Sequence, residues 1–217
     1  MSVEPPTEQV NASRTYNSSR RRERSRETHH ALLDAAQARF LEYGYSATTI
    51  DSVAADVAIS AATIYKTYGS KAGLVRALCE RALGGRGPIP AEQRSDRLQA
   101  EVSDPRMIVA GWGRLTAEVA PRVAPLLLLL RDAANDDHVA AGLLGELDAE
   151  RHARMSRNAR TLVRGGHTRP GIRLREASDV LWTYSSPELY DLLVRRRGWS
   201  LRRYGEFVGE AIARALL

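Results

Sequence analysis

The sequence predicts an all-α protein, and three observations predict it. Apolar residues recur at three- and four-residue intervals through most of the chain. No segment sustains the alternation of period two that marks a half-buried strand. Ser, Thr or Asp stands before many of the periodic runs and Gly closes several of them, as helix caps do.

The elements follow in order. Residues 1 to 26 have no hydrophobic periodicity; Pro5, Pro6, several Ser and Asn, and the Arg-rich run from Arg20 to Arg26 read as a disordered basic tail. Such a tail serves solubility or lies along a nucleic acid, and both readings stand. From Thr28 the pattern turns helical, with Leu33, Ala36 and Phe40 on one face, and Gly44 stops the helix. Thr49 caps a second short helix whose stripe is Ile50, Val53, Ala54 and Val57. Ser60 caps a third through about Tyr68, and Ser70 a fourth with Leu74, Ala77 and Leu78 inward. The breaker cluster from Gly84 to Pro90 marks a boundary, giving a first domain over 27–86 and a second over 87–217. Beyond it, Asp104-Pro105 is an N-cap with Pro at the first helical position. Apolar runs extend through Val119, from Arg122 to Ala134 and from Val139 to Val163. A helix over 176–184 follows, Ser185 to Glu188 resembles a capping box, and Ser200 caps a final helix.

The second and third helices are joined by so few residues that they must cross steeply, and Ala54 and Ala58 are small enough to allow it. That is a helix-turn-helix arrangement. At about 100° per residue, Ala61, Ile64 and Tyr68 of the third helix point inward, Ala62, Thr63 and Lys66 point out, and Tyr65 lies on the flank. An outer face of Ala, Thr and Lys does little for a core and suits the edges of base pairs in a major groove. Tyr65, and Lys71 in the first turn of the next helix, are placed to meet phosphate oxygens. Thr48, Thr49 and Ser60 add hydroxyl donors around the same helix. A solvated helical hairpin with ordinary caps is the alternative.

The segment from Leu32 to Leu78 resembles the DNA-binding domain of the TetR family of one-component transcriptional regulators. The likeness rests on Leu32-Leu33-Asp34-Ala35-Ala36, Phe40, Gly44-Tyr45, Thr48-Thr49, Val53-Ala54, Ile59-Ser60, Thr63-Ile64-Tyr65 and Ser70-Lys71 with Leu74. The resemblance implies a three-helix DNA-binding head and a connecting helix. It also implies a larger helical domain that binds a small molecule and dimerises, and with these a palindromic DNA operator. Three positions depart from the pattern. Ala58 stands where the turn usually has Gly, Tyr68 where Phe is usual, and Arg39 where an apolar residue is usual. If the turn needs a positive φ, Ala58 costs on the order of 1 kcal/mol.

In the second domain, the tract from Leu181 to Tyr190 and Gly198-Trp199-Ser200 is similar to the C-terminal region of many such regulators, where the last two helices pair with a second subunit. Leu189, Leu192 and Leu193 form one candidate dimer stripe, and Tyr204, Phe207, Val208, Ala211 and Ile212 form another. A single chain burying these stripes in its own body is the alternative. Candidate ligand-pocket residues are Trp112, set between Gly111 and Gly113, with Leu115, Leu127, His152 and Trp182; each also suits plain core packing.

Composition narrows the function. The formal net charge of +6 permits a polyanionic partner, but Lys66 and Lys71 are the only lysines and the arginines are spread along the whole chain. One cysteine, Cys79, allows no internal disulfide and reads as a buried thiol. The apolar run Leu126 to Leu130 is far below the roughly 20 residues that span a bilayer. With no apolar leader at the N-terminus, a cytoplasmic protein without membrane contact is expected. No nucleophile, phosphate-loop or metal-ligand pattern is present, so no catalytic residue, cofactor or metal is assigned. The expected function is a homodimeric repressor released from its operator by a small-molecule effector. A small all-α enzyme working through the second-domain pocket, and a DNA-coating protein without sequence preference, are the alternatives.

Overall fold

The computed structural model describes residues 9–217, with side chains at Glu23 and from Arg26 onward. Among the described residues every regular element is helical: α1 (Gln9–Ala47), α2 (Ile50–Asp56), α3 (Ala61–Tyr68), α4 (Lys71–Gly84), α5 (Ala91–Glu101), α6 (Pro105–Ala133), α7 (His138–Arg164), α8 (Leu174–Tyr184), α9 (Pro187–Tyr190, continued as a π-helical segment Asp191–Arg196) and α10 (Leu201–Leu216).

The reading of residues 1 to 26 as disordered differs from the structure where its description begins. From Gln9 the backbone is helical and runs straight into the segment that packs on the core. No Gly or Pro interrupts the chain between Gln9 and Tyr43, and Arg, Glu, Gln and Ala all favour a helix once one end is anchored. The first eight residues, and most side chains of the Arg20–Arg26 run, lie outside the described residues. At its far end α1 turns at Gly44, whose φ of 85° a residue with a Cβ adopts only under strain.

The short helices are fixed by their caps. Thr49, Ser60 and Ser70 each accept a backbone N–H three residues on, from Ser52, Thr63 and Gly73, at 3.0–3.2 Å. Ser52 also accepts the Thr49 N–H, completing a reciprocal capping box. The turn between α2 and α3 carries Ala58 at φ 52°, so the expected left-handed residue is real and is held by a non-glycine.

Two apolar clusters build the core. One joins head to body: Leu33, Phe40, Val53, Ile64, Leu74 and Leu78 continue without a break into Leu126, Leu127, Leu130, Leu143 and Leu147. The other holds α6, α8 and α10 together around Ile108, Trp112, Leu181, Tyr204, Val208 and Ile212. α6 runs unbroken through Pro121 and Pro125, where the sequence shows two separate runs. Each proline removes one helix hydrogen bond, and contacts with α1, α4, α7, α9 and α10 hold the helix together regardless.

α6 and α10 cross backbone to backbone. A methyl group on Gly113 would stand 2.2 Å from the Gly205 carbonyl oxygen and 2.8 Å from the Gly209 nitrogen. Gly111 is equally committed, since its methyl would stand 2.2 Å from Leu98 of α5. The two glycines beside Trp112 therefore serve helix approach and do not widen a pocket.

Candidate functional site

α3 presents the expected face. Ile64 is fully buried and Tyr68 half-buried, while Ala62, Thr63, Tyr65, Lys66 and Thr67 are exposed. The outer surface of the helix is therefore short, uncrowded and rich in donors. Thr63 is ordered by Ser60: the two hydroxyls lie 2.8 Å apart, and the Thr63 N–H donates to Ser60 Oγ. Thr67 donates to the Thr63 carbonyl at 2.9 Å. Tyr68 carries its hydroxyl to His29 Nδ1 at 2.9 Å, with the two rings stacked, which ties α3 to α1.

Two of the proposed contact residues sit otherwise than expected. Thr48 is 1% exposed, and its hydroxyl donates to the Gly44 carbonyl at 2.8 Å. It closes the end of α1 and is not offered to a phosphate, because the turn after Gly44 folds it under the chain. Thr49 beside it is exposed, with its oxygen engaged as the α2 cap. Lys71 is half-buried, its ammonium folded back to donate to the Tyr45 carbonyl at 3.0 Å, 4.2 Å from the Tyr45 ring centre. One of its three N–H donors is thus engaged. Its charge also reaches the start of α7. There the Asp137 carboxylate is held below the usual range, first by the Ala140 N–H and also by Val139 N–H and Lys71.

Arg39 explains its own departure from the apolar pattern. Its guanidinium forms a forked pair with Asp56, one arm at 2.8 Å, pinning the end of α2 to α1. Asp56 is held below the usual carboxylate range by that hydrogen bond.

The body encloses a cavity of about 690 Å³, lined from α4 to α10. Of the candidate pocket residues, Trp112, Leu115 and Leu127 line it. His152 and Trp182 do not. His152 is exposed on the outer side of α7, 3.5 Å from Asp179, with its ring edge-on to Trp182 at 6.0 Å. Their neighbours Arg151 and Leu181 take the inward positions, one residue and about 100° away. The lining residues missed by sequence include Cys79, Glu80 and Leu83 of α4, Ser95 of α5, Leu147 and Asn158 of α7, and Val208 and Ile212 of α10. Each reads as ordinary core or surface, and only the three-dimensional arrangement gathers them. Cys79 is buried, and its thiol is pushed up to about 12, first by burial.

The expected dimer stripes divide. Tyr204, Val208 and Ile212 are buried inside the chain against α6, so they are not available to a second subunit. The glycine-lined groove of α6 takes that face of α10. Leu192 is 51% and Phe207 36% exposed, while Leu189, Leu193 and Ala211 are half-buried. Phe207 stands edge-on to Trp199 and Tyr184, so an aromatic group lies at the outer face of α8 and α10.

Among the described residues no helix is long and apolar enough to cross a membrane.

Comparisons with known proteins agree with this geometry. Residues 32–78 match the family described as bacterial regulatory proteins, tetR family. The chain is 37% identical over 71 residues to the uncharacterized HTH-type transcriptional regulator YvkB of Bacillus subtilis (strain 168), a match covering 33% of this chain and 38% of YvkB. In fold it is similar to NalD, the secondary repressor of the MexAB-OprM multidrug efflux pump in Pseudomonas aeruginosa. There the TM-score is 0.69 at 20% identity, over 89% of this chain and 97% of that one. It is also similar to the transcriptional regulator FadR from Bacillus subtilis in complex with stearoyl-CoA. That comparison gives a TM-score of 0.69 at 16% identity, over 87% of this chain and 100% of that one. The head, residues 32–78, is thus matched in sequence by the DNA-binding domain of the tetR family, and the whole chain is matched in fold by regulators of known structure, while the chain spans under two fifths of the length of the curated relatives it matches.

Proposed function

We infer that this chain is a DNA-binding transcriptional regulator of the cytoplasm and not an enzyme: a homodimeric repressor that a small molecule in the body cavity releases from a palindromic operator. The observation that carries the reading is the outer face of α3. Ala62, Thr63 and Lys66 stand exposed on a helix whose opposite side is anchored by buried Ile64. Such a face fits a major groove: Ala and the Thr methyl meet thymine methyls, and Lys reaches guanine acceptors. Tyr65, Ser60, Thr49 and the remaining donors of Lys71 border that face and suit phosphate oxygens.

Support for dimerisation is the exposure of Leu192 and Phe207, and the partial exposure of Leu189, Leu193 and Ala211, in the body. Two copies joined there would set two α3 helices against half-sites about one helical turn apart. Support for an effector is the cavity itself, which α4 walls with Cys79, Glu80 and Leu83 while its first residue, Lys71, lies in the head. A FadR of the same fold is known with stearoyl-CoA bound. An effector that binds the two head spacings unequally shifts the population away from the DNA-competent one.

The test starts from DNA fragments captured genome-wide by the protein. Parent, Thr63→Ala and Lys71→Ala are titrated on the recovered site and on a scrambled duplex at one salt concentration. Thr63→Ala is expected to narrow the gap between the two duplexes by roughly 1 kcal/mol or more. Lys71→Ala is expected to weaken both alike. A parent that holds both duplexes equally is a DNA coat, and that outcome overturns the regulator reading. Sedimentation of the parent and of Leu192→Glu checks the dimer, with the variant expected to shift to monomer.

A further inference from the structure

The body cavity is chemically one-sided. Among the described residues, the buried side-chain groups that line it and lack a hydrogen-bond partner are N–H donors: Trp112 Nε1 and Arg151 Nε. No oxygen acceptor of the lining shares that condition. Trp112 and Asn158 are each 5% exposed. Asn158 accepts from Gln99 through Oδ1 at 3.3 Å, which leaves its amide NH₂ as a donor. Ser95, equally buried on α5, takes the same Gln99 amide at 3.4 Å, which leaves its hydroxyl hydrogen to donate.

Ser95 and Asn158 fall at one end of the cavity, joined through the Gln99 amide. α5 meets α6 where Leu98 packs over Gly111, the residue before Trp112, and Ser95 and Gln99 lie within one turn of that contact. Two of the three acids of the lining are already engaged: Glu92 accepts from Arg154 and Arg157, and Glu150 from Arg76. Glu80 is exposed at the rim. Most of the remaining wall is aliphatic.

A buried donor without an acceptor is costly, and a ligand that supplies the acceptor recovers that cost on binding. We propose that the cavity takes an apolar molecule whose polar group is an accepting oxygen, a carboxylate or a carbonyl, received by Trp112, Asn158 and Ser95. A cationic or donor-only ligand meets donors at this end and is rejected. This deepens the regulator reading by naming the chemistry of its effector, and it rests on that reading only for the consequence of binding.

The test is calorimetric titration of the DNA-free protein with decanoate, methyl decanoate and decylammonium. The parent is expected to bind at least one of the two oxygen-bearing probes about tenfold or more tightly than decylammonium. Preference for decanoate alone assigns a carboxylate, and equal binding of the ester assigns a neutral carbonyl. Trp112→Phe keeps the ring and removes the donor, and Ser95→Ala is the second, milder variant. Each is checked for an unchanged melting temperature. Trp112→Phe is expected to cut affinity for the oxygen-bearing probes about tenfold, Ser95→Ala severalfold, and both to leave decylammonium unchanged. Decylammonium binding as tightly as the others, no binding by any probe, or variants that affect all three alike would overturn the proposal. Release of operator DNA is measured separately: a probe that binds but does not release DNA counts against the effector role and leaves the ligand site standing.

Discussion

Two helix crossings in this molecule are made in opposite ways. In the head, α2 and α3 meet through a turn of a few residues, and the joint is set by partners close in sequence: Thr49 with Ser52, Ser60 with Thr63, Ala58 in the left-handed region. In the body, α6 and α10 meet backbone to backbone, Gly113 against Gly205 and Gly209, across some ninety residues of chain. The head crossing leaves one face of α3 bare. The body crossing consumes one face of α10, burying Tyr204, Val208 and Ile212. A helix pair built from caps leaves a face free to display side chains; one built from bare backbone hides the face at the crossing and leaves only the opposite one, where Phe207 stands.

The largest effect should come from breaking the second crossing. Gly113→Val places a branched side chain into the Gly205 and Gly209 backbone, which has no rotamer to yield. Denaturant unfolding should register a loss of about 3 kcal/mol. Gly142, in α7, is the control: nothing lies within 4 Å of a methyl there, so Gly142→Ala should stabilise by roughly 0.5–1 kcal/mol.

Next in size is the tie where the connecting helix leaves the head. Glu118 of α6 accepts from the two terminal nitrogens of the Arg94 guanidinium, at 2.9 and 2.6 Å, and from the Arg86 N–H. Arg94 above all, and then the Arg86 N–H, hold its carboxyl below the usual range against the opposing effect of burial. Glu118→Gln should cost roughly 1–3 kcal/mol near neutral pH. A depressed folded-state value means this contribution is complete above the ordinary glutamate value of about 4.3 and is lost as the pH falls through the folded value. The gap between parent and Glu118→Gln should therefore close on acidification; a constant gap would assign the effect to packing.

The smallest change sharpens the first crossing. Ala58→Gly relieves a residue held at φ 52° and should raise stability by up to about 1 kcal/mol. Its effect on affinity for the DNA site recovered by genome-wide capture tells whether the strained turn sets the aim of α3. A gain in stability with unchanged affinity would show that Gly and Ala present the helix alike.

How far the sequence could be read follows the same division. The outward positions of α3 were legible because a buried Ile64 and a capped start fix the rotation of a short helix. Thr48 was not, although it is next to a correctly placed Thr49, because the turn after Gly44 decides which of the two is folded under. Of the candidate pocket residues, Trp112, Leu115 and Leu127 face the cavity, while His152 and Trp182 each stand one residue away from a lining position. On a helix that error is about 100° of rotation, and an amphipathic pattern with a wide apolar face does not fix the angle so closely.

The sequence by itself determined the helices, their caps, the helix-turn-helix joint and its bare outer face, because each depends on residues within a turn or two of one another. The tertiary structure decided which side of α10 faces inward, where the body stays open, and that its polar lining leaves donors to spare. Those outcomes depend on how close two backbones come, and that distance is set by glycines far apart in the chain.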